Sequence, residues 1–294
     1  MNDNQQIVCF GETLWDVFPD SQKPGGAPLN VAVHLRRFGF NPIMISSVGK
    51  DDLGNGLLDF MKNKGIKTEF IQLDKRHPTG VVNVKIAAGG DATYDIVFPS
   101  AWDYIEMPNK LGSSGFILVF GSLGSRNINS RKTLLKLLEG AGTALFDVNF
   151  RAPHYTRKLI EELLEKSDII KLNEDEIEII GEWLGIESGS IETICEQLTV
   201  KFKLNQIIVT LGSKGAMVYK DGKSFRHLGF KVYVVDTVGS GDSFLASYLA
   251  HFLKGSPVDD CLDMACATGA YVATQNGAVP EYKMSDLHQI KNKN

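Results

Sequence analysis

Residues 144–148 (ALFDV), 156–166 (TRKLIEELLEK) and 169–172 (IIKL) read as strand, helix, strand. The outer two are short apolar runs, the pattern of strands covered on both faces. The middle one sets Leu159, Ile160, Leu163 and Leu164 along a single helical stripe. The alternation continues in both directions. Strand-like runs stand at 7–10, 43–48, 116–120 and 206–211, and helical patterns at 30–38, 53–64, 129–139, 175–184 and 191–202. This β-α-β-α rhythm argues for a mostly parallel central sheet with helices on both faces, so the fold class is α/β. One section departs from it. Residues 80–86 and 92–98 are β-rich and flank Ala87-Ala88-Gly89-Gly90-Asp91, a hairpin signal, and 13–18 is another short β-like run holding Asp16. Together they predict a small β lid, contributed by about 12–19 and 80–99, on one domain spanning 1–294.

Composition narrows the function classes. The 31 Lys and Arg against 35 Asp and Glu leave a net charge of −4, no footprint for nucleic acid or an anionic membrane. No apolar run approaches the ~18 residues of a membrane span. The polar start, residues 1–6, has no basic region followed by a long apolar one, so the chain reads as cytoplasmic. Four cysteines (Cys9, Cys195, Cys261, Cys266) are too few and too irregular for a disulfide framework, and no C-x-x-C or H-E-x-x-H offers a protein-only zinc site. Cys261 and Cys266 lie in an apolar helical stretch and read first as small buried residues.

Chemistry concentrates in Gly-rich turns. Asp236-Thr237-Val238-Gly239-Ser240-Gly241-Asp242-Ser243-Phe244 runs into an apolar helix at 245–252. Glycines before a helix start turn the backbone sharply and aim free N–H groups outward, and the helix N-terminus favours an anion such as phosphate. Taken alone, such a string is more often a turn with an aspartate cap. Gly25-Gly26-Ala27-Pro28-Leu29-Asn30-Val31-Ala32 is again Gly-rich and again opens a helix, and Asn30 offers donors and acceptors to hydroxyls. Thr210-Leu211-Gly212-Ser213-Lys214-Gly215-Ala216 carries a strand end into a turn, without Walker A spacing, and no G-x-G-x-x-G dinucleotide fingerprint is present. Two polar sets fall at predicted strand ends, the edge where open α/β sheets bind ligands: Asp147, Asn149 and Arg151, then Asn173, Glu174 and Glu176.

These motifs, in this order, resemble the ribokinase-like (PfkB) family of sugar kinases over essentially the whole chain. GGAPLNVA resembles its N-terminal signature, and the segment from Asp236 to Asp242 its D-T-x-G-A-G-D signature, with Ser240 where Ala is usual. NEDE from Asn173 resembles N-x-x-E, and TLGSKG the nucleotide loop. The opening GETLWD, the DVNFR segment and Trp102 look most like bacterial fructokinases. The resemblance implies a three-layer ribokinase-like fold and ATP-dependent phosphorylation of a sugar with Mg²⁺. Asp242 is then the general base, and the amides of Gly239, Ser240 and Gly241 form the anion hole. Asp16, Gly26, Asn30 and Tyr94 bind or cover the sugar, and Arg151 serves phosphate or sugar. Asn173 and Glu176 hold Mg²⁺ through water. Thr210, Gly212, Gly215 and a helix starting at Cys266 flank the adenosine. A monovalent cation such as K⁺ sits beside Asp236 and the backbone around Val238 and Gly277.

Fructose, taken at its 6-hydroxyl, is the first substrate choice. The rival is 2-keto-3-deoxygluconate, whose carboxylate needs its own cation; Arg151, Lys85 and Arg126 are the candidates. Ribose and nucleosides fit the N-terminal segment less well. A catalytically idle sugar sensor would have lost the base or the anion loop, and Asp242, Gly239 and Gly241 are all present. The alternating hairpin at 81–98 offers an apolar face to a second copy, so the expected assembly is a homodimer through the lid.

Overall fold

Continuous apolar runs become buried parallel strands. In the computed structural model, which describes residues 6–86, 92–109, 111, 114–186 and 189–292, the chain begins with β1 (Ile7–Phe10), β2 (Leu14–Phe18), β3 (Ser21–Gly25) and α1 (Ala27–Arg37). It continues through β4 (Ile43–Gly49), α2 (Asp52–Asn63), β5 (Ile71–Asp74), β6 (Gly80–Ile86), β7 (Ala92–Ile96), β8 (Phe116–Gly121), α3 (Ile128–Gly140) and β9 (Ala141–Asp147). Next come α4 (Arg157–Leu164), β10 (Ile169–Asn173), α5 (Glu174–Trp183), α6 (Ile191–Phe202) and β11 (Gln206–Thr210). The last elements are β12 (Ala216–Lys220), β13 (Lys223–His227), α7 (Ser240–Leu253), α8 (Val258–Ala273) and α9 (Met284–Asn292).

The main sheet has the order β13-β12-β11-β10-β9-β8-β1-β4-β5. It is parallel from β5 to β11, and β12 and β13 extend it antiparallel at one edge. Alternate residues of each strand feed two cores. Cys9, Met44, Val119 and Ile208 pack with α1, α2, α7, α8 and α9 on one face. Phe10, Ile45, Phe120, Phe146 and Val209 pack with α3, α4, α5 and α6 on the other. This is the three-layer arrangement expected of a ribokinase-like fold. Because β4 and β8 lie on opposite sides of β1, the carboxyl end of β1 opens at a topological switch point, where ligand crevices form.

The second sheet, β3-β2-β6-β7, is where the departure from the rhythm placed it. It closes a small core of Leu14, Val82 and Val84. Its third participant, β3, has the sequence SQKPG and no apolar residue to signal it; it forms by pairing with β2 from Leu14↔Gly25 to Phe18↔Ser21. The expected hairpin turn at 87–91 lies outside the described residues. One expected helix start is corrected. α8 begins at Val258, just after Pro257, so Cys266 lies mid-helix and is buried in the core.

Candidate active site

Asn30 and Asp242, 212 residues apart in sequence, meet at the crevice: Asn30 Nδ2 donates to Asp242 Oδ2 at 2.8 Å. α1 carries Asn30 inward on a helix whose N-cap, Gly26, has φ of 114° and no side chain to cap with. A Cβ on Gly26 would stand 2.4 Å from the Glu12 carbonyl oxygen, so only glycine fits. The cap comes instead from Glu12, just past β1, whose Oε1 accepts the Ala27 amide at 3.3 Å. Gly25 admits the Asp16 side chain: a Cβ there would lie 2.5 Å from Asp16 Oδ2.

Asp242 stands in the first turn of α7. The N-cap, Gly239, is left-handed (φ 77°), and α7 has no side-chain cap at all. A Cβ on Gly239 would lie 2.5 Å from Ala278 Cα, which makes this glycine obligatory. The Ser240 amide donates to the Thr237 carbonyl at 3.2 Å, so it closes the turn rather than facing outward as expected. Among the described residues no protein acceptor meets the amides of Gly239, Gly241 and Asp242. They remain open to an anion.

Three carboxyl groups gather here. Burial drives Asp242 up to about 6, the neighbouring Asp147 adds to the rise, and Asn30, Lys171 and Arg151 oppose it. Burial likewise takes Asp16 to about 6 and Glu12 to about 7. The charge of Arg151 favours the ionised form of all three, although its side chain makes one hydrogen bond among the described residues, from Nη1 to the Phe150 carbonyl.

Behind Gly241 lies a pair that the sequence did not announce. Lys171 Nζ donates to both oxygens of Asp147, at 2.8 and 2.9 Å, and both side chains are buried. Burial works against the charged lysine, but Asp147 outweighs it and the net shift of Lys171 is upward.

Asn173 and Glu176 form a capping box at the start of α5. Asn173 Oδ1 accepts the Glu176 amide at 2.8 Å, and Glu176 Oε2 accepts the Asn173 amide at 2.9 Å. Glu176 Oε1 accepts the Phe150 amide at 2.7 Å, tying α5 to the segment that carries Arg151. Beside it, Lys214 of the turn after β11 pairs with Glu174 at 2.8 Å. Thr210 lies level with Asn173 across β10 and β11. Gly212 has φ of 57° with open space where a side chain would be, whereas Gly215 is pressed against His227 O, 2.0 Å from its missing Cβ. Gly212 therefore faces a free approach, and Gly215 serves the packing of β13.

The outlying candidates fall as follows. Tyr94 lies on β7 with 56% of its surface exposed. Asp236 accepts the Val238 and Gly277 amides, both at 3.0 Å, and Lys23 Nζ stands 3.8 Å from Oδ2. Arg126 is spent elsewhere: it donates to both oxygens of Asp103 and to the Val97 carbonyl, and lies 3.9 Å over Trp102. The Lys85 side chain lies outside the described residues.

The chain is similar to known proteins in sequence and in fold. The chain is 29% identical to fructokinase-2 of Solanum lycopersicum, over 93% of this chain and 92% of that protein. It is 30% identical to probable fructokinase-5 of Arabidopsis thaliana, over 93% of both. A fructokinase from Vibrio cholerae O395, crystallised with fructose, ADP and potassium ion, shares the fold with a TM-score of 0.85 over 97% of this chain and 98% of that one, at 24% identity. The family model of the pfkB carbohydrate kinases matches residues 2–283. The chain therefore belongs to the pfkB family of carbohydrate kinases and is a sugar kinase.

Proposed function

We propose that the chain transfers the γ-phosphoryl group of ATP to the 6-hydroxyl of fructose, with Asp242 as general base. The observation that carries this reading is the Asn30–Asp242 contact at the uncapped N-terminus of α7. A carboxylate and three amides with no acceptor among the described residues stand together there, at the start of one helix. Asp242 takes the hydroxyl proton, the sugar oxygen bonds to the γ-phosphorus, and the bond from that phosphorus to its β,γ-bridging oxygen breaks to release ADP. The amides of Gly239, Gly241 and Asp242 receive the charge of the transferring group. With burial taking Asp242 to about 6, the base is ionised at neutral pH yet more basic than an exposed aspartate. Asp16, Gly26 and Asn30 line the sugar side, and the second sheet, with Tyr94, closes over it as the lid of a single kinase domain. Thr210 and Gly212 take the nucleotide side, joined there by α8.

The residues fit Mg²⁺ in one way. Each Glu176 oxygen already accepts a backbone amide, so Glu176 and Asn173 meet a hydrated ion through its waters. Bound with ATP, that ion neutralises phosphate charge. The fit to K⁺ is poorer. Both Asp236 oxygens accept amides and the Lys23 ammonium stands beside one of them, so Asp236 is assigned to holding the loop.

A neutral sugar is favoured because most of the described cations near the site are matched, Arg126 to Asp103, Lys171 to Asp147 and Lys23 to Asp236. Arg151 makes no ion pair among the described residues, but Glu12, Asp16 and Asp242 all feel its charge, so a carboxylate substrate would compete with three carboxyl groups for it. The four cysteines are free and buried, in keeping with a cytoplasmic enzyme. Exposed Tyr94 and Phe98 mark the lid face for a second copy. Light scattering on the purified protein reads dimer for that assembly, and a monomer at all concentrations removes it.

The test of function is ADP release with ATP and Mg²⁺ over fructose, 2-keto-3-deoxygluconate, ribose, glucose and adenosine, each with and without K⁺. The highest kcat/KM is expected for fructose. A higher value for the keto acid overturns the substrate and reassigns Arg151, and silence across the panel favours an idle sugar binder.

A further inference from the structure

Lys171 interrupts an apolar run, two residues before the end of β10, and stands in register with Asp147 at the end of β9. Neighbours on both strands are fully buried core residues such as Ile170, Leu172 and Phe146. Burying two charges is costly, and an apolar pair of similar volume often holds a fold as well or better. Packing alone therefore gives no reason for the pair. Its position does. A Cβ on Gly241 would lie 3.4 Å from Lys171 Nζ, which puts the ammonium directly behind the first turn of α7. The lysine's charge also favours ionised Asp242, while that of Asp147 opposes it.

We infer that Lys171, held by Asp147, is a charge-setting residue of the transfer site, its ammonium fixed behind the α7 amides to offset the negative charge gathered at Asp242 and on the phosphoryl group docked there. The inference rests on the phosphoryl-transfer reading above. Its pH consequences concern Asp242, which is faced by Asp147 and Lys171 from β9 and β10, by Arg151 from the segment after β9, and by Asn30 from α1. Glu12 and Asp16, before and within β2, also feel its charge. Removing the cation with Lys171→Met raises the acid limb of kcat/KM to higher pH. Removing the carboxylate with Asp147→Asn lowers it.

A double variant separates charge from packing. Lys171→Met with Asp147→Leu replaces the pair by two apolar side chains, so its thermal midpoint is expected to return close to that of the wild type. Its kcat/KM with fructose is expected to stay down by about 100-fold, the usual scale for losing one stabilising group at a transition state. Recovery of activity to within about threefold of wild type, well under the roughly 1.4 kcal/mol that a tenfold change represents, overturns the inference. So do single variants whose acid limbs move in the same direction. A double variant that fails to fold assigns the pair to stability and overturns it too. Wild-type ADP release in the same run distinguishes failure of this inference from failure of the kinase reading.

Discussion

α5 and α7 begin at the same edge of the sheet, each from a motif rich in polar residues, and their first turns are built in opposite ways. α5 caps itself: Asn173 and Glu176 exchange hydrogen bonds with each other's amides, and the acidic first turn of Glu174, Asp175 and Glu176 satisfies the helix dipole from within. α7 does neither. Its N-cap is a left-handed glycine with no side chain, and three amides find no acceptor among the described residues. The lesson is that an anion site is recognised by what a helix end leaves undone. A capped end is finished, and its side chains are free only for contacts through water; an uncapped end beside a carboxylate is open to an anion.

The largest effect expected from breaking this contrast is at the base. Asp242→Asn keeps the shape and the hydrogen bond to Asn30 but removes the proton acceptor, so kcat falls by roughly 1,000-fold while ATP binding by calorimetry is unchanged. Retained turnover would remove Asp242 from its role. Next, Gly239→Ala puts a Cβ 2.5 Å from Ala278 Cα and forces the α7 turn to shift. The expected loss in kcat/KM is about 100-fold, and steady-state kinetics within a few-fold of wild type would show that the amide geometry is not needed.

Two substitutions at α5 sharpen the other side. Asn173→Ala loses the cap and about 1 kcal/mol of stability in denaturant titrations. Asn173→Asp keeps the cap and the stability but sets a charge beside the phosphates, with kcat/KM down by about tenfold. Equal losses of stability in both would mean that Asn173 does more than cap. The smallest effect is on pH dependence. The base works ionised and gains its proton as pH falls through about 6, the value to which burial raises Asp242 from 3.8. The kcat/KM profile should therefore be flat above that pH and fall below it; an acid limb near the ordinary aspartate value would contradict the burial argument.

Much of this was legible in the sequence because buried parallel strands carry continuous apolar runs. The runs at 7–10, 43–48, 116–120, 144–148, 169–172 and 206–211 all became strands of the main sheet. Strands at the edges were less visible. β3 holds no apolar residue, and β5 and β13 lie at the two edges of the main sheet with partly exposed residues, so nothing forces their sequences into a strong pattern. The Gly-rich loops and Asp242 were readable from local chemistry and from the family resemblance. Lys171 was not, because its meaning comes from register. Only the pairing of β9 with β10 brings it to Asp147. The helix start expected at Cys266 failed because the residues around it carry no boundary signal; the true start, Val258, directly follows Pro257 and lies eight residues before Cys266.

The most direct measurement is amide NMR of the protein with Mg²⁺, fructose and ADP, before and after addition of aluminium fluoride as a mimic of the transferring phosphoryl group. The amides of Gly239, Gly241 and Asp242 are expected to show the large shifts of new hydrogen bonds, while those of Asn173 and Glu176, already bonded to each other's side chains, keep their positions far more closely. If the α7 amides stay unmoved while fructose and nucleotide are bound, the uncapped helix end is not the transfer site and the account fails.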